Sequence, residues 1–291
     1  MKRIVPGILL AAFWLILLLK GSILLFNTVV CVMLFIGCDE YLKMAAGREL
    51  ETFTKWFLDS ILFLPVLGVS LFPGAESLAV TIFSSFFLLT FFVISRYRFL
   101  HDSYQLYSRL IFGLIYIGFL GAHLVLLRQL DNGASWLIIV TSITACSDSG
   151  AYFIGGAVGK RKMSPHISPN KTVEGAAGGL FLAVCGGLFF SWLLLPEKNY
   201  LFIAAAALVV GGVGIAGDLA ESIIKRGTNT KDSGTLLAGH GGILDRIDSL
   251  LFAVPAMYYF LVFTGPDEIN ISSGFHWFHW CKCSGSYQAF P

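Results

Sequence analysis

"YLFIAAAALVVGGVGIAGDLAESII", residues 200–224, decides the fold. From Tyr200 to Gly217 it holds no charge, and then Asp218 and Glu221 follow within one turn of each other. About twenty apolar residues cross the hydrocarbon core of a bilayer as a helix. Similar runs recur near 4–19, 21–38, 56–72, 77–94, 107–127, 134–156, 173–195 and 243–264. The chain is 56% hydrophobic and 13% charged, and its mean hydropathy is +0.76. A length of 291 residues would allow two soluble domains, but this patterning overrides that prior. The expected fold class is all-α, a polytopic transmembrane helix bundle of about nine spans. The first two runs are short and are expected to tilt, pair or lie partly in the interface.

Nine spans put the two termini on opposite faces. Of the 20 Lys and Arg, Lys20, Arg128, Lys198 and Lys282 fall on one side and the other 16 on the side of the N-terminus. Positive residues favour the cytoplasmic face, so the N-terminus is expected to be cytoplasmic. Met1-Lys2-Arg3 and the apolar run after it mimic a signal peptide. A second run follows with no persuasive cleavage site, so the first is read as a retained span. Three regions are expected: 1–130, scaffold and lipid-facing helices; 131–265, the catalytic helices with cytoplasmic polar loops; and 266–291, an aromatic tail without helical periodicity. The six Cys show no zinc-type pairing, and those in apolar runs behave as small hydrophobes.

The end of the residue 200–224 run carries the chemistry. Nine of the thirty-one residues from Asp218 to Asp248 are charged, a costly density beside a membrane and therefore a functional-site hypothesis. Asp218, Glu221, Ser222 and Lys225 fall at i, i+3, i+4 and i+7 and share one helix face. "AGHGG", 238–242, is a flexible turn into a helix that starts near Ile243, whose free amides would make an anion site. Asp245 and Asp248 share a face of that helix, and Lys225, Arg226, Lys231 and Arg246 are at hand for phosphate. Oxygen ligands without a Cys or His cluster favour a hard cation such as Mg²⁺. The competing explanation is a set of interhelical ion pairs that closes the bundle. His240 is either a general base or a hydrogen-bonding turn residue.

A second polar patch, "ACSDSGAYFIGGAVGKRKMSPHISPNKTVEG", precedes it at 145–175. Asp148 stands deep in an apolar run and needs a partner. A phosphate-binding P-loop is excluded, because Ile154 and Arg161 stand where that motif needs Gly and Ser or Thr. Lys160, Arg161 and Lys162 serve either phosphate or topology. "SPNKT" is expected as a polar turn capped by Thr172 or Asn170, with Lys171 a phosphate ligand or a loop charge. Gly175 and Gly179 stand in GxxxG spacing, which suits close helix packing.

"SIIKRGTNTKDSGTLLAGHGGILDRID", Ser222 to Asp248, closely resembles the signature of the phosphatidate cytidylyltransferase (CDP-diacylglycerol synthase) family, and "SDSGAYFIGGAVGK" and "SPNKTVEG" resemble its second block. One departure is Ala238, where the family usually has Pro or Gly. The resemblance implies transfer of the cytidylyl group of CTP to phosphatidate, giving CDP-diacylglycerol and pyrophosphate. It implies Mg²⁺ on Asp218, Asp245 and Asp248, allows K⁺ at the same acidic site, and gives Lys225, Arg226, Lys231, Arg246 and Asp248 catalytic roles. Asp148, Lys171, Ser222, His240, Gly241 and Gly242 are then expected at the substrates. The expected setting is a bacterial inner membrane with the site on the cytoplasmic side. A homodimer is allowed and no nucleic-acid partner is expected. The alternatives are a CTP-dependent lipid-alcohol kinase and, further off, an ion-coupled transporter.

Overall fold

A computed structural model describes residues 4–45, 51–100, 102–234 and 241–264. The described chain is a helical bundle. Its helices are α1 (Ile4–Lys20), α2 (Ile23–Ala45), α3 (Thr52–Leu71), α4 (Ala75–Arg96), α5 (Ser103–Gly113), α6 (Leu120–Gln129), α7 (Gly133–Val158), α8 (Val173–Leu194), α9 (Tyr200–Gly227) and α10 (Leu244–Thr264). A π-helical segment, Leu114–Phe119, joins α5 and α6 into one rod. Eight rods are long and apolar enough to cross a membrane, and α1 is a shorter apolar ninth. The all-α polytopic bundle is therefore observed, with eight candidate spans among the described residues rather than nine. The tail 266–291, His240 and Ala238 lie outside the described residues.

Two expectations need correction. The second span does not stop at Cys38: α2 runs on to Ala45, carrying Asp39, Glu40 and Lys43 in its last turns. It is a full-length span, because those charges find partners inside the protein rather than ending the helix. "SPNKT" is a strand rather than a turn: Ser168–Thr172 pairs antiparallel with Lys162–Ser164. We number these strands β2 and β1. Thr172 does cap α8, its hydroxyl accepting from Gly175 N at 3.1 Å. The Glu174 carboxylate accepts from the amides of Lys160 and Arg161, at 3.0 and 3.1 Å, and so fastens the start of the hairpin to α8.

Within the bilayer every backbone group has to be satisfied by the protein itself. Pro65 inside α3 cannot donate to the carbonyl of Ile61. The buried Ser85 hydroxyl on α4 donates to that carbonyl at 2.9 Å instead. The N-terminal helices bury Phe26, Leu34, Leu58, Leu62 and Leu114 together, while α4 turns Phe83, Phe87, Phe91 and Ile94 outward, as a lipid-facing surface requires.

Helices α7 and α8 approach almost backbone to backbone. A Cβ on Gly179 would lie 2.7 Å from the Ser147 carbonyl, and one on Gly175 would lie 2.9 Å from that of Ala151. Gly150 on α7 returns the same closeness against Gly178 O, also at 2.9 Å. Hydrophobicity gives little drive for helix association in lipid, so small residues that admit this approach supply it through packing. We predict that Gly179→Val destabilises the protein by about 1–3 kcal/mol through overpacking. Gly212→Ala, where no atom lies within 4 Å, should be neutral. Unfolding of the two variants in detergent, followed by circular dichroism, measures the difference.

Candidate active site

The C-terminal ends of α2, α7 and α9 and the N-terminal ends of α8 and α10 meet at one end of the bundle, with the hairpin. Helical spacing puts Glu221 and Lys225 one turn apart on α9. The Lys225 ammonium lies 2.6 Å from Glu221 Oε2 and 2.8 Å from Asp245 Oδ1 on α10. Glu221 is almost wholly buried, with 1% of its side chain exposed. One ammonium thus serves two carboxylates from two spans.

Asp245 is the most heavily engaged acid. Its second oxygen accepts from Ser233 N at 2.9 Å, Ser233 Oγ at 2.9 Å and Gly242 N at 2.8 Å. Gly241 beside it has φ +78, a left-handed conformation that suits glycine, and a Cβ there would strike Asp245 Oδ2. The glycines of the turn therefore let the chain fold down onto the carboxylate.

A second ion pair lies alongside. Lys171 at the end of β2 reaches Asp218 Oδ2 on α9 at 2.5 Å. Asp218 and Lys171 lie within electrostatic range of Asp148 on α7, as does Asp248 on α10. Asp248 lies within range of Glu221 and Asp218 as well. The three aspartates come from three spans, and Lys171 is brought to them by the hairpin. Arg226, Lys231 and Arg246 are exposed around this end, and Arg226 Nε donates to the carbonyl of Ile167 in the hairpin at 3.4 Å. Ser222 is half-buried, one residue along α9 from Glu221.

One expectation is overturned. The amides at the start of α10 are not free for an anion. Ile243 N and Leu244 N each donate at 3.0 Å to the Glu40 carboxylate of α2, and Gly242 N donates to Asp245. Glu40 lies just beyond the apolar run 21–38, so hydropathy alone does not mark it. Acid in the last turns of a span was the available signal, since such a group demands a partner. Ser233 was missed as well, and nothing in its sequence surroundings marks it. Tyr116 is a third omission: it sits in the π-helical segment with a buried hydroxyl that has no hydrogen-bond partner, within electrostatic range of Glu221, Asp248, Asp245 and Asp218.

Among the described residues, no three acidic, His or Cys side chains stand close enough to form a ready metal cage. The donor set still suits one kind of ion. Mg²⁺ is usually held by one or two carboxylates and completes its shell with water and substrate phosphate. Asp218 and Asp248, within electrostatic range of each other, would be such a pair.

Acids from four spans, with Lys225 of α9 and Lys171 of the hairpin, gather at one end of the bundle and form the candidate site. The chain belongs to the cytidylyltransferase family, whose model matches residues 1–264. It is 34% identical over 270 residues to the phosphatidate cytidylyltransferase of Bacillus subtilis (strain 168), covering 89% of this chain and 97% of that protein. It is 30% identical over 300 residues to the phosphatidate cytidylyltransferase of Synechocystis sp. (strain PCC 6803), covering 93% and 99%. A third such enzyme, from Haemophilus influenzae, is 41% identical over 136 residues, covering 45% and 47%.

Removing one partner of a buried ion pair leaves an uncompensated charge and costs about 3–5 kcal/mol. Lys225→Met strands both Glu221 and Asp245, so we expect a loss of that size, read as a lowered midpoint in denaturant titration of the detergent-solubilised protein. An unchanged midpoint would mean that the pair contributes nothing to holding α9 against α10.

Proposed function

We propose that this chain transfers the cytidylyl group of CTP to phosphatidate, forming CDP-diacylglycerol and releasing pyrophosphate. Similarity along nearly the full length of two phosphatidate cytidylyltransferases supports the reaction. The observation that supports the site is the pairing of Lys225 with Asp245 and Lys171 with Asp218 at one end of the bundle. In the reaction a phosphate oxygen of phosphatidate attacks the α-phosphorus of CTP. The bond from that phosphorus to the bridging oxygen breaks, and pyrophosphate carries the electrons away. Such transfers depend on positioning and charge stabilisation.

In this reading Asp218 and Asp248 hold Mg²⁺, which when bound would stabilise charge on the transferring group. K⁺ is carried by the resemblance as a second occupant of the acidic site. Asp245, with both oxygens engaged, orients Lys225 and the glycine turn rather than leading the metal shell. Lys171 and Lys225 neutralise phosphate charge from inside the bundle, and Arg226, Lys231 and Arg246 do so from its exposed rim. Asp148, Ser222, Gly241 and His240 are assigned to the substrates, whereas Gly242, whose amide donates to Asp245, shapes the turn. The distribution of Lys and Arg supports a cytoplasmic N-terminus and a site on the cytoplasmic face of a bacterial inner membrane. A homodimer is carried by the resemblance alone. Membership of the family lends no support to the kinase or the transporter.

The test is a transfer assay on the purified full chain in detergent, with phosphatidate and α-labelled CTP. We expect label in the lipid and free pyrophosphate, both requiring Mg²⁺, and about 10²–10³-fold less in Asp218→Asn if that carboxylate stabilises the transferring charge. CDP as the nucleotide product would establish a kinase instead. Orientation has its own test. In a cysteine-free background, Lys162→Cys should react with an impermeant thiol reagent in inside-out vesicles and not in intact spheroplasts. The reverse pattern would invert the topology.

A further inference from the structure

Glu40 carries the strongest signal outside the expected site. It belongs to α2, in the half of the chain read as scaffold, and is 4% exposed. Oε1 accepts from Ile243 N at 3.0 Å, and Oε2 accepts from Leu244 N at 3.0 Å and Ser233 Oγ at 3.2 Å. A carboxylate here caps α10 and faces the positive end of its dipole. More is built around it than a cap needs. A Cβ on Gly234 would lie 2.5 Å from Glu40 Oε1, and one on Gly242 would strike Oε2. Two stretches of the signature, Ser233–Gly234 and Gly242–Leu244, are therefore packed onto one side chain, and both carry glycine where it presses.

The contact continues into the site. Ser233 Oγ lies between Glu40 Oε2 and Asp245 Oδ2, at 3.2 and 2.9 Å, and accepts from Asp245 N at 3.3 Å. A hydroxyl has one proton to give, so the two carboxylates share a single donor. Asp245 in turn holds Lys225. The order of contact is Glu40, Ser233, Asp245, Lys225, Glu221, from α2 across α10 to α9.

We propose that Glu40 is a positioning residue for the transfer reaction: through Ser233 it sets where Asp245 stands, and so where Lys225 presents its ammonium to the phosphate. This rests on the assignment of Asp245 and Lys225 to the active site. A misplacement of about 1 Å from a residue remote from the chemistry can cost about 10²-fold in rate. Glu40→Gln is nearly isosteric but replaces one acceptor with an amide that cannot accept from the α10 backbone.

The experiment measures kcat and KM for CTP per folded molecule on the full-length protein in detergent, for Glu40→Gln, Glu40→Asp, Ser233→Ala and the Glu40→Gln/Ser233→Ala double variant. We expect kcat about 10²-fold lower in Glu40→Gln, with KM for CTP nearly unchanged and partial recovery in Glu40→Asp. The double variant should be little worse than Glu40→Gln, because groups in one network lose their effects together. Parental kcat in folded Glu40→Gln, with only its thermal stability lowered, makes Glu40 a structural cap and overturns the proposal. Strictly multiplicative losses in the double variant overturn it too. If Glu40→Gln does not fold, Ser233→Ala decides: a fall in kcat at constant KM supports the link, and parental kcat overturns it. Asp218→Asn run alongside separates the two levels. If it keeps parental activity the site assignment itself is at fault; if it is inactive while Glu40→Gln is unimpaired, only the role of Glu40 falls.

Discussion

The ammonium of Lys225, held between Glu221 and Asp245, is the interaction on which the rest depends. Charges at a bundle end beside lipid are tolerated when they meet one another. This arrangement constrains both helices that carry it. Helix α9 has to present Glu221 and Lys225 one turn apart on one face, and α10 has to begin close enough for Asp245 to meet them. The glycine turn follows from the same requirement, since Asp245 Oδ2 draws in Ser233 and Gly242. Side chains with Cβ atoms at Gly241 or Gly242 would keep that backbone away.

A second constraint comes from α7 and α8. Their glycines bring the two backbones into direct contact, which fixes where α8 starts and therefore where the hairpin before it lies. The Thr172 cap and the Glu174 bonds to Lys160 and Arg161 tie that hairpin down. Lys171, one residue before the cap, is thereby aimed at Asp218. Small residues within a span thus place a cation at the far end of the site, and packing and electrostatics are two readings of one geometry.

The fold was legible because apolar runs of bilayer length are hard to mistake, and the spans fall close to where hydropathy puts them. Much of the gathering of charge was legible too: Asp218, Glu221 and Lys225 follow from helical spacing, and Asp245 from the turn before it. What escaped reading has a common cause. Glu40 and Ser233 act through partners elsewhere in the chain, and Tyr116 is near the acids only in the folded bundle, which no local pattern reports. By hydropathy Asp39 and Glu40 look like the end of a helix, but their partners in the protein allow it to continue to Ala45. The α10 amides look free for the same reason, since their acceptor lies about two hundred residues away. The π-helical segment Leu114–Phe119 has no composition that distinguishes it from ordinary helix.

The bond from Ile243 N to Glu40 spans 203 residues of chain. During synthesis at about 5–20 residues per second, roughly 10–40 s separate the emergence of the two partners. Glu40 therefore enters the membrane well before the backbone amides that will satisfy it exist. Lys43 and Asp39 beside it pair locally, 2.5 Å apart within α2, and Lys55 reaches Asp39 from the next helix. Among the described residues, Glu40 has no such partner within α2 or α3. Glu40 meets its backbone donors only once α10 is in place, so a chain truncated before α10 would carry a buried acid without the amides it caps.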